Sequence, residues 1–467
     1  MRHIIFILTL HLGYCVFLNA GIMPGDTTGI IQSADTISIA IDQLDSTIVS
    51  YMDENRTLGY WRARIELLGM NEDSTGMFVS MFRGELSSIN HVHFSGAAER
   101  EKDYLNQEFY LGKRMLSIQD VSKAESRLRD IGYRMNRLRD ISIDGDGKYH
   151  LNYMITKRPE LNIDALAAFN QSAGADTLAF FGHIYLYVPN LDGKGKSLSL
   201  NWQRLKSNSE SFSLSYAHPW LFDLPIKAVF GFGREVVDGN YQNIQSKAGL
   251  EWTLNWERTM FFQFEDQQSL ITYEGSLLYP EWKAAHRQLF GLGYKQYNLD
   301  KRLHRGFAVR TSLSQELEFE PSSLSRLDFR SEAEIPLFRH LYFSQRTALS
   351  IQNKTNNEND PSVLKPLGGV TSVRGYEENR YRSLSVASFQ HDVYYILGKQ
   401  TRFITLMDLG IYVDSETLRY LGGYGLGVQL NSSRGPIRII LAKHQGLSLQ
   451  NSFLHIEYSG GISWIDR

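Results

Sequence analysis

The chain has 467 residues, 42% of them hydrophobic and 12% aromatic, which is room for one large domain with smaller ones attached. A formal net charge of -2 leaves no electrostatic footprint for nucleic acid, and beyond the N-terminus no run of eighteen apolar residues offers a helical membrane span. The 38 glycines, 25 tyrosines and 25 phenylalanines, against 11 prolines, point instead to many strands and turns.

Residues 1 to 20 read as a secretory signal peptide: the positive start Met1-Arg2-His3, an apolar run from Ile4 to Leu18, and the small Ala20 near the cleavage point. The only cysteine, Cys15, falls inside it, and Tyr14 before it is a poor fit to a lipoprotein cleavage site. The mature chain is therefore expected to carry no thiol, which excludes disulfides, cysteine metal ligands and cysteine nucleophiles together.

From about 36 to 160 helix and strand alternate. Ile41, Leu44, Ile48 and Tyr51 recur at helical spacing; Gly59-Tyr60, a strand from Trp61 to Leu67, a polar turn at Asn71 to Gly76 and a strand from Met77 to Phe82 follow. The order returns after an opening strand, Ile89 to Phe94, and a helix near Ala97 to Leu111. Ser117 caps a helix striped by Val121, Ala124, Leu128 and Ile131, Gly132-Tyr133 ends it, Asp144-Gly-Asp-Gly147 turns, and Tyr149 to Ile155 is the last strand. This is an internal repeat of small α/β modules, residues 21-86 and 87-160, the first of them truncated or built differently because its start would fall in the signal peptide.

From Leu161 onward period two takes over. Leu327, Phe329, Ala333 and Ile335 point one way while Arg326, Asp328, Arg330, Glu332 and Glu334 point the other; Leu250, Trp252, Leu254 and Trp256 oppose Glu251, Thr253, Asn255 and Glu257 in the same manner. A secreted chain of many such strands reads as a transmembrane antiparallel β-barrel over 161-467, apolar toward lipid and polar toward its lumen. Sixteen strands fit, with Leu270 to Tyr279 an optional seventeenth, and closure favours the even number because it leaves no strand edge in lipid.

Two features then carry a family resemblance. The modules, β-α-α-β-β in order, resemble POTRA domains. Within Pro366-Leu-Gly-Gly-Val-Thr-Ser-Val-Arg-Gly-Tyr376, the stretch Val373-Arg374-Gly375-Tyr376 resembles the Val-Arg-Gly-Phe/Tyr motif on the inward-folded sixth extracellular loop of the BamA, TamA and FhaC superfamily. Phe403-Ile-Thr-Leu-Met-Asp408-Leu-Gly410, Ser433-Arg-Gly435-Pro436-Ile-Arg438 and the Tyr216-Ala-His-Pro219-Trp220 corner are similar to family patterns in the expected order. The resemblance implies a sixteen-strand barrel in the outer membrane of a Gram-negative bacterium, with its modules in the periplasm. It implies a protein assembly or insertion factor that opens laterally at the seam of first and last strands and pairs a client strand by β-augmentation; a secretion pore of the same superfamily is the near alternative and a passive channel the distant one. Partners would be outer-membrane lipid, unfolded outer-membrane or secreted clients, and periplasmic or lipoprotein accessory subunits on the modules.

The residues expected to matter follow from this. Gly368, Gly369 and Gly375 permit tight bends, and Arg374 is a five-donor fork that needs a carboxylate inside a cavity. Strand parity puts Asp408 on the lumen face, so an Arg374 to Asp408 pair is expected, with Asp392 or Gln390 secondary, stiffening strands opposite the seam. Gln390 is a departure, since family members that insert barrels commonly carry Glu there; the terminus Trp464-Ile-Asp-Arg467 is another. The seam is expected to join Leu161, Leu166 and their neighbours to a last strand weakened by Gly460 and Gly461 and reaching Trp464. No Gly-x-Ser-x-Gly, His-Glu-x-x-His or phosphate loop is present, and His91 with His93 is too few ligands for zinc, so neither an enzyme nor a cofactor or metal is expected.

Overall fold

The computed structural model describes residues 35–458 apart from 59, 61, 72–74, 85–88, 112–117, 131–132, 136–139, 144–148, 158–161, 171–178, 207, 301–303, 318–322, 354–359, 399–400, 415–416, 433–434 and 445–451. The expected signal peptide with Cys15, the Ser117 cap, the turn at 144–147, Leu161, Gly460, Gly461 and Trp464 lie outside the described residues. The chain divides into two compact units, one holding the first module and the other the second module with the barrel.

In the first unit a sheet orders Asp35–Ala40, Gly76–Phe82 and Arg64–Met70, with Gly76–Phe82 central and both neighbours antiparallel to it. Val79 in the central strand is fully buried, and Leu44–Leu58 is the module's helix. The Asn55 side chain ties the helix down: its amide donates to Tyr51 O (2.8 Å) and its carbonyl accepts from Arg83 Nε (2.9 Å). The module thus has an opening strand, Asp35–Ala40, downstream of residues 1 to 20. The module differs from the second in having a single α-helix among its described residues and an antiparallel first strand.

The second module pairs Ile89–Ser95 in parallel with Tyr149–Lys157, which also takes Tyr133–Met135 and Asp140–Ile143 antiparallel. Its helices are Glu99–Tyr110 and Ile118–Asp130. The heptad-like spacing of Val121, Ala124 and Leu128 buries all three completely. Phe94, Phe109 and Tyr153 form an aromatic core with centroids 5.6–5.9 Å apart, and the Tyr153 hydroxyl donates to Glu125 Oε1 at 2.6 Å. Burying a phenol requires such a partner.

The barrel is one antiparallel sheet of sixteen strands, in chain order from Asn162–Asn170 to Phe453–Tyr458. Alternation follows the sequence over most of each strand and breaks at Ile411, which has the outward parity yet is buried. In Thr401–Asp414, Phe403, Met407 and Leu409 are exposed on the outer face while Ile404, Leu406 and Asp408 are buried. In Ser325–Phe338, Leu327 faces out and Arg326, Glu332 and Glu334 are buried within. The outer face suits lipid. Inside, charge is neutralised in ladders across strands: Arg326 contacts Glu265 at 3.2 Å and Asp328 at 2.9 Å, and Glu251 lies between Lys227 (2.5 Å) and Lys295 (2.8 Å). Leu270 to Tyr279 does not form a seventeenth strand. The strand Arg258–Ile271 ends there, and Tyr273–Leu278 is a short helix capped by Thr272, whose hydroxyl accepts from Gly275 N at 3.0 Å.

Because the first strand starts where the second module ends, its Asn162 end defines the proximal end of the barrel. The turns after the even-numbered strands lie there too; the loop after Leu341–Gln352 leaves the opposite, distal end.

Candidate functional site

That loop joins Leu341–Gln352 to Val386–Leu397 and turns back into the lumen. Its entry is fixed by Asp360, which is paired with Arg287, accepts from Ser362 N (2.9 Å) and from Ser269 Oγ (3.2 Å), and precedes the buried turn Pro361–Val363. Val363 then packs with Leu289 and Leu324. Lys365–Leu367 and Tyr381–Ser383 pair as a small hairpin, from which Arg382 reaches Tyr241 Oη (2.8 Å) and Glu235 (3.1 Å) on a distant part of the wall.

The tip needs glycine. Gly368 and Gly369 have φ of 112° and 96°, in the left-handed half that a side chain disfavours, and they close a turn in which Gly369 N donates to Val373 O (3.1 Å) and Gly368 N to Ser372 Oγ (2.8 Å). Glu378 accepts from Val370 N at 2.9 Å, and burial pushes its carboxyl above the usual range. The next turn, at Gly375 (φ 96°), places Val373, Arg374 and Tyr376 against the wall, all three buried.

Arg374 is 1% exposed. Its Nε donates to Asp408 Oδ2 at 2.7 Å and one terminal nitrogen to Asp408 Oδ1 at 2.6 Å, while its backbone N–H adds a third bond to the same carboxylate at 2.8 Å. This is a bidentate fork whose geometry a lysine cannot reproduce. Asp392 meets the same guanidinium at 2.7 Å as an ion pair and lies 3.9 Å from Arg438. Gln390 does not contact Arg374: its amide donates to Val370 O at 2.9 Å, so it holds the loop's backbone and not its charge. A neutral amide is the right group for a carbonyl; Asp392, one inward step further, takes the charge.

Asp408 belongs to the thirteenth strand, three from the last. The expectation that the pair stiffens strands opposite the seam is corrected by this count, since the loop grips the flank next to the last strand. Beyond Asp408, Tyr376 stacks on His444 (4.6 Å, 15°) and sits in a cluster with Leu367, Val373 and Leu421. Gly375 N donates to Nε2 of His455, on the last strand, at 3.4 Å. The wall is shaped for this approach. A Cβ on Gly423 would strike the Arg374 carbonyl oxygen, and one on Gly410 would lie 2.7 Å from Val373. Sequence reading placed Gly410 only within a family pattern and gave no role to Gly423, His444, His455 or the pairing of Arg438. The glycine run Gly422-Gly423-Tyr424-Gly425-Leu426-Gly427 inside a strand was the available signal.

The Tyr216 to Trp220 corner lies at the proximal end and faces the second module. Trp220, with φ 52°, donates from its indole to Glu108 Oε1 at 2.7 Å, and Gln107 donates to Asp223 at 3.1 Å. Of the seam residues, Leu166 lies in the first strand opposite His183, its backbone alone described.

An outer-membrane barrel with an apolar outer face, an ionic lumen and a distal loop pinned inside by arginine is the class that fold and site define. The chain belongs to the Omp85 superfamily, whose domain model matches residues 190–450. That membership makes it a Gram-negative outer-membrane protein concerned with protein clients, in assembly or translocation. No curated protein matches it in sequence. Among solved structures it is similar to BamA from Haemophilus ducreyi lacking POTRA domains 1-3 (14% identity, TM-score 0.53, covering 89% of this chain and 92% of that one). It is also similar to CdiB from Acinetobacter baumannii (13%, 0.54, 96% of both chains) and CdiB from Escherichia coli (12%, 0.54, 94% and 91%). At these identities the likeness is one of fold.

Proposed function

We propose that the chain assembles or inserts proteins in the outer membrane by parting its first and last strands and offering the freed edge to a client strand, with both modules in the periplasm. The observation that carries this reading is the occupied lumen. Asp360 with Arg287, Arg382 with Glu235, and Arg374 with Asp408 and Asp392 tie the loop to widely separated strands. A client crossing the lumen must break all three ties; one added at the sheet edge breaks none.

In this reading the edge that opens lies between Asn162–Asn170 and Phe453–Tyr458, the first and last strands of the sheet. Exchange of strand for strand costs little, because each hydrogen bond released is replaced by one of the same kind. Leu161 and Leu166 on one side, with Gly460, Gly461 and Trp464 on the other, are the residues assigned to that seam. The Arg374 site would hold the flank beside it rigid while the edge moves. The exposed edge strand Arg64–Met70 offers a site for accessory subunits.

Secretion through the lumen is the second reading. It is favoured by the partly exposed Arg382–Glu235 pair, the tie whose release costs least. A passive channel is a third class, supported by the barrel alone. Depletion separates them: loss of folded outer-membrane proteins supports assembly, loss of an exported protein with a normal outer membrane supports secretion, and loss of small-solute uptake alone supports a channel.

A further inference from the structure

Below the Arg374 site, at the proximal end, a second polar cluster projects from the wall into the lumen, and no loop residue is among its described contacts. His304 ends the turn before Arg305–Glu316 with φ 51°, and its ring enters the barrel, 8% exposed. Four consecutive strands receive it. Nδ1 lies 3.2 Å from Glu334 Oε2 and 3.0 Å from Tyr394 Oη, and Nε2 lies 3.5 Å from a terminal nitrogen of Arg402. Tyr342 meets the ring edge-on at 4.9 Å and stacks on Tyr394 at 5.4 Å, while Arg402 lies over Tyr394 at 5.3 Å. An imidazole with its proton on Nδ1 satisfies both ends, giving to Glu334 and accepting from Arg402.

The position is specific. Tyr394 is two residues past Asp392 on the same inward face, roughly 7 Å lower along the strand, so the cluster lies one layer beneath the Arg374 pair. Glu334 and Tyr394 are themselves buried. A histidine held in a left-handed conformation at the head of a strand, with its ring among these donors and acceptors, is placed to occupy that space.

We propose that His304 is a proximal plug, so that the lumen on this side carries two closures in series, the pinned loop above and the histidine cluster below. Withdrawal of the loop alone then leaves ion passage blocked. The plug rests on the geometry of the His304 cluster and not on lateral opening, and its test is independent of client assembly.

Purified full-length protein in planar bilayers would be compared as wild type, Arg374→Ala, His304→Ala, His304→Gln and the Arg374→Ala/His304→Ala double variant, with folding checked by heat-modifiable gel migration. The expected result is brief flickers for each single variant and a shift to a steady open level only in the double variant. Two results would overturn the plug: a steady level in Arg374→Ala alone equal to that of the double variant, or no steady level in a folded double variant. Failure of both His304 variants to fold would also overturn it, by making the histidine a folding element instead of a closure.

Discussion

Gly423 stands where any side chain would meet the carbonyl oxygen of Arg374. The bidentate fork to Asp408 therefore depends on an absence in the next strand as much as on the two charges. Gly423→Ala should push the loop tip off the wall, at the roughly 1–3 kcal/mol typical of overpacking, and Gly423→Val should do more. Gly422→Ala is the control, because a Cβ there meets nothing within 4 Å. Heat-modifiable migration over a temperature series reads the difference; equal curves for Gly422→Ala and Gly423→Val would remove the close approach from the account.

Arg374→Ala leaves Asp408 and Asp392 buried without their shared cation, and breaking such a pair from one side costs about 3–5 kcal/mol. Arg374→Lys keeps the charge but not the fork, and should fall between Ala and wild type. Asp408→Asn should be worse than Gln390→Ala, which loses one bond to Val370 O. Thermal unfolding of the barrel in detergent or nanodiscs supplies the ranking. Indifference to both Arg374→Ala and Asp408→Asn would return Arg374 to the status of a solvated loop residue.

The Trp220 indole bond to Glu108 joins the barrel corner to the second module, and Glu108 also holds Arg127. A hydrogen bond to a charged acceptor contributes about 1.5–3 kcal/mol. Trp220→Phe should therefore loosen the module, which the Gln107–Asp223 and Lys123–Glu257 contacts still hold, while leaving the barrel's own unfolding unchanged. Limited proteolysis between 158 and 161 should accelerate in Trp220→Phe; cleavage at the wild-type rate would mean that the corner does not anchor the module.

Much of the barrel was legible in the chain because side-chain direction alternates along a strand, apart from bulges such as that at Pro336/Phe338. The parity of Phe403, Met407 and Leu409 singles out Asp408 as inward before any coordinates are drawn, and five charges on alternate positions of Ser325–Phe338 cannot all face lipid. Parity does not say how far down the lumen a loop descends, and for that reason Gln390 and Asp392, both inward, could not be told apart. Nor does it reveal residues that act by being small, such as Gly410 and Gly423, or a histidine such as His304 that enters the lumen from a turn. Leu270 to Tyr279 misled because its apolar residues suit a strand or a helix equally; Thr272 as a cap decides for the helix.

The central claim is that the seam opens sideways. Cysteines at Leu166 and Ile456, and at neighbouring registers along Asn162–Asn170 and Phe453–Tyr458, place a disulfide across the two end strands where their Cα atoms come within bonding range. The measurement is client folding in the outer membrane before and after quantitative oxidation, with reduction as the reversal. A formed crosslink should stop assembly, and reductant should restore it. Full assembly with the seam completely crosslinked would contradict that claim.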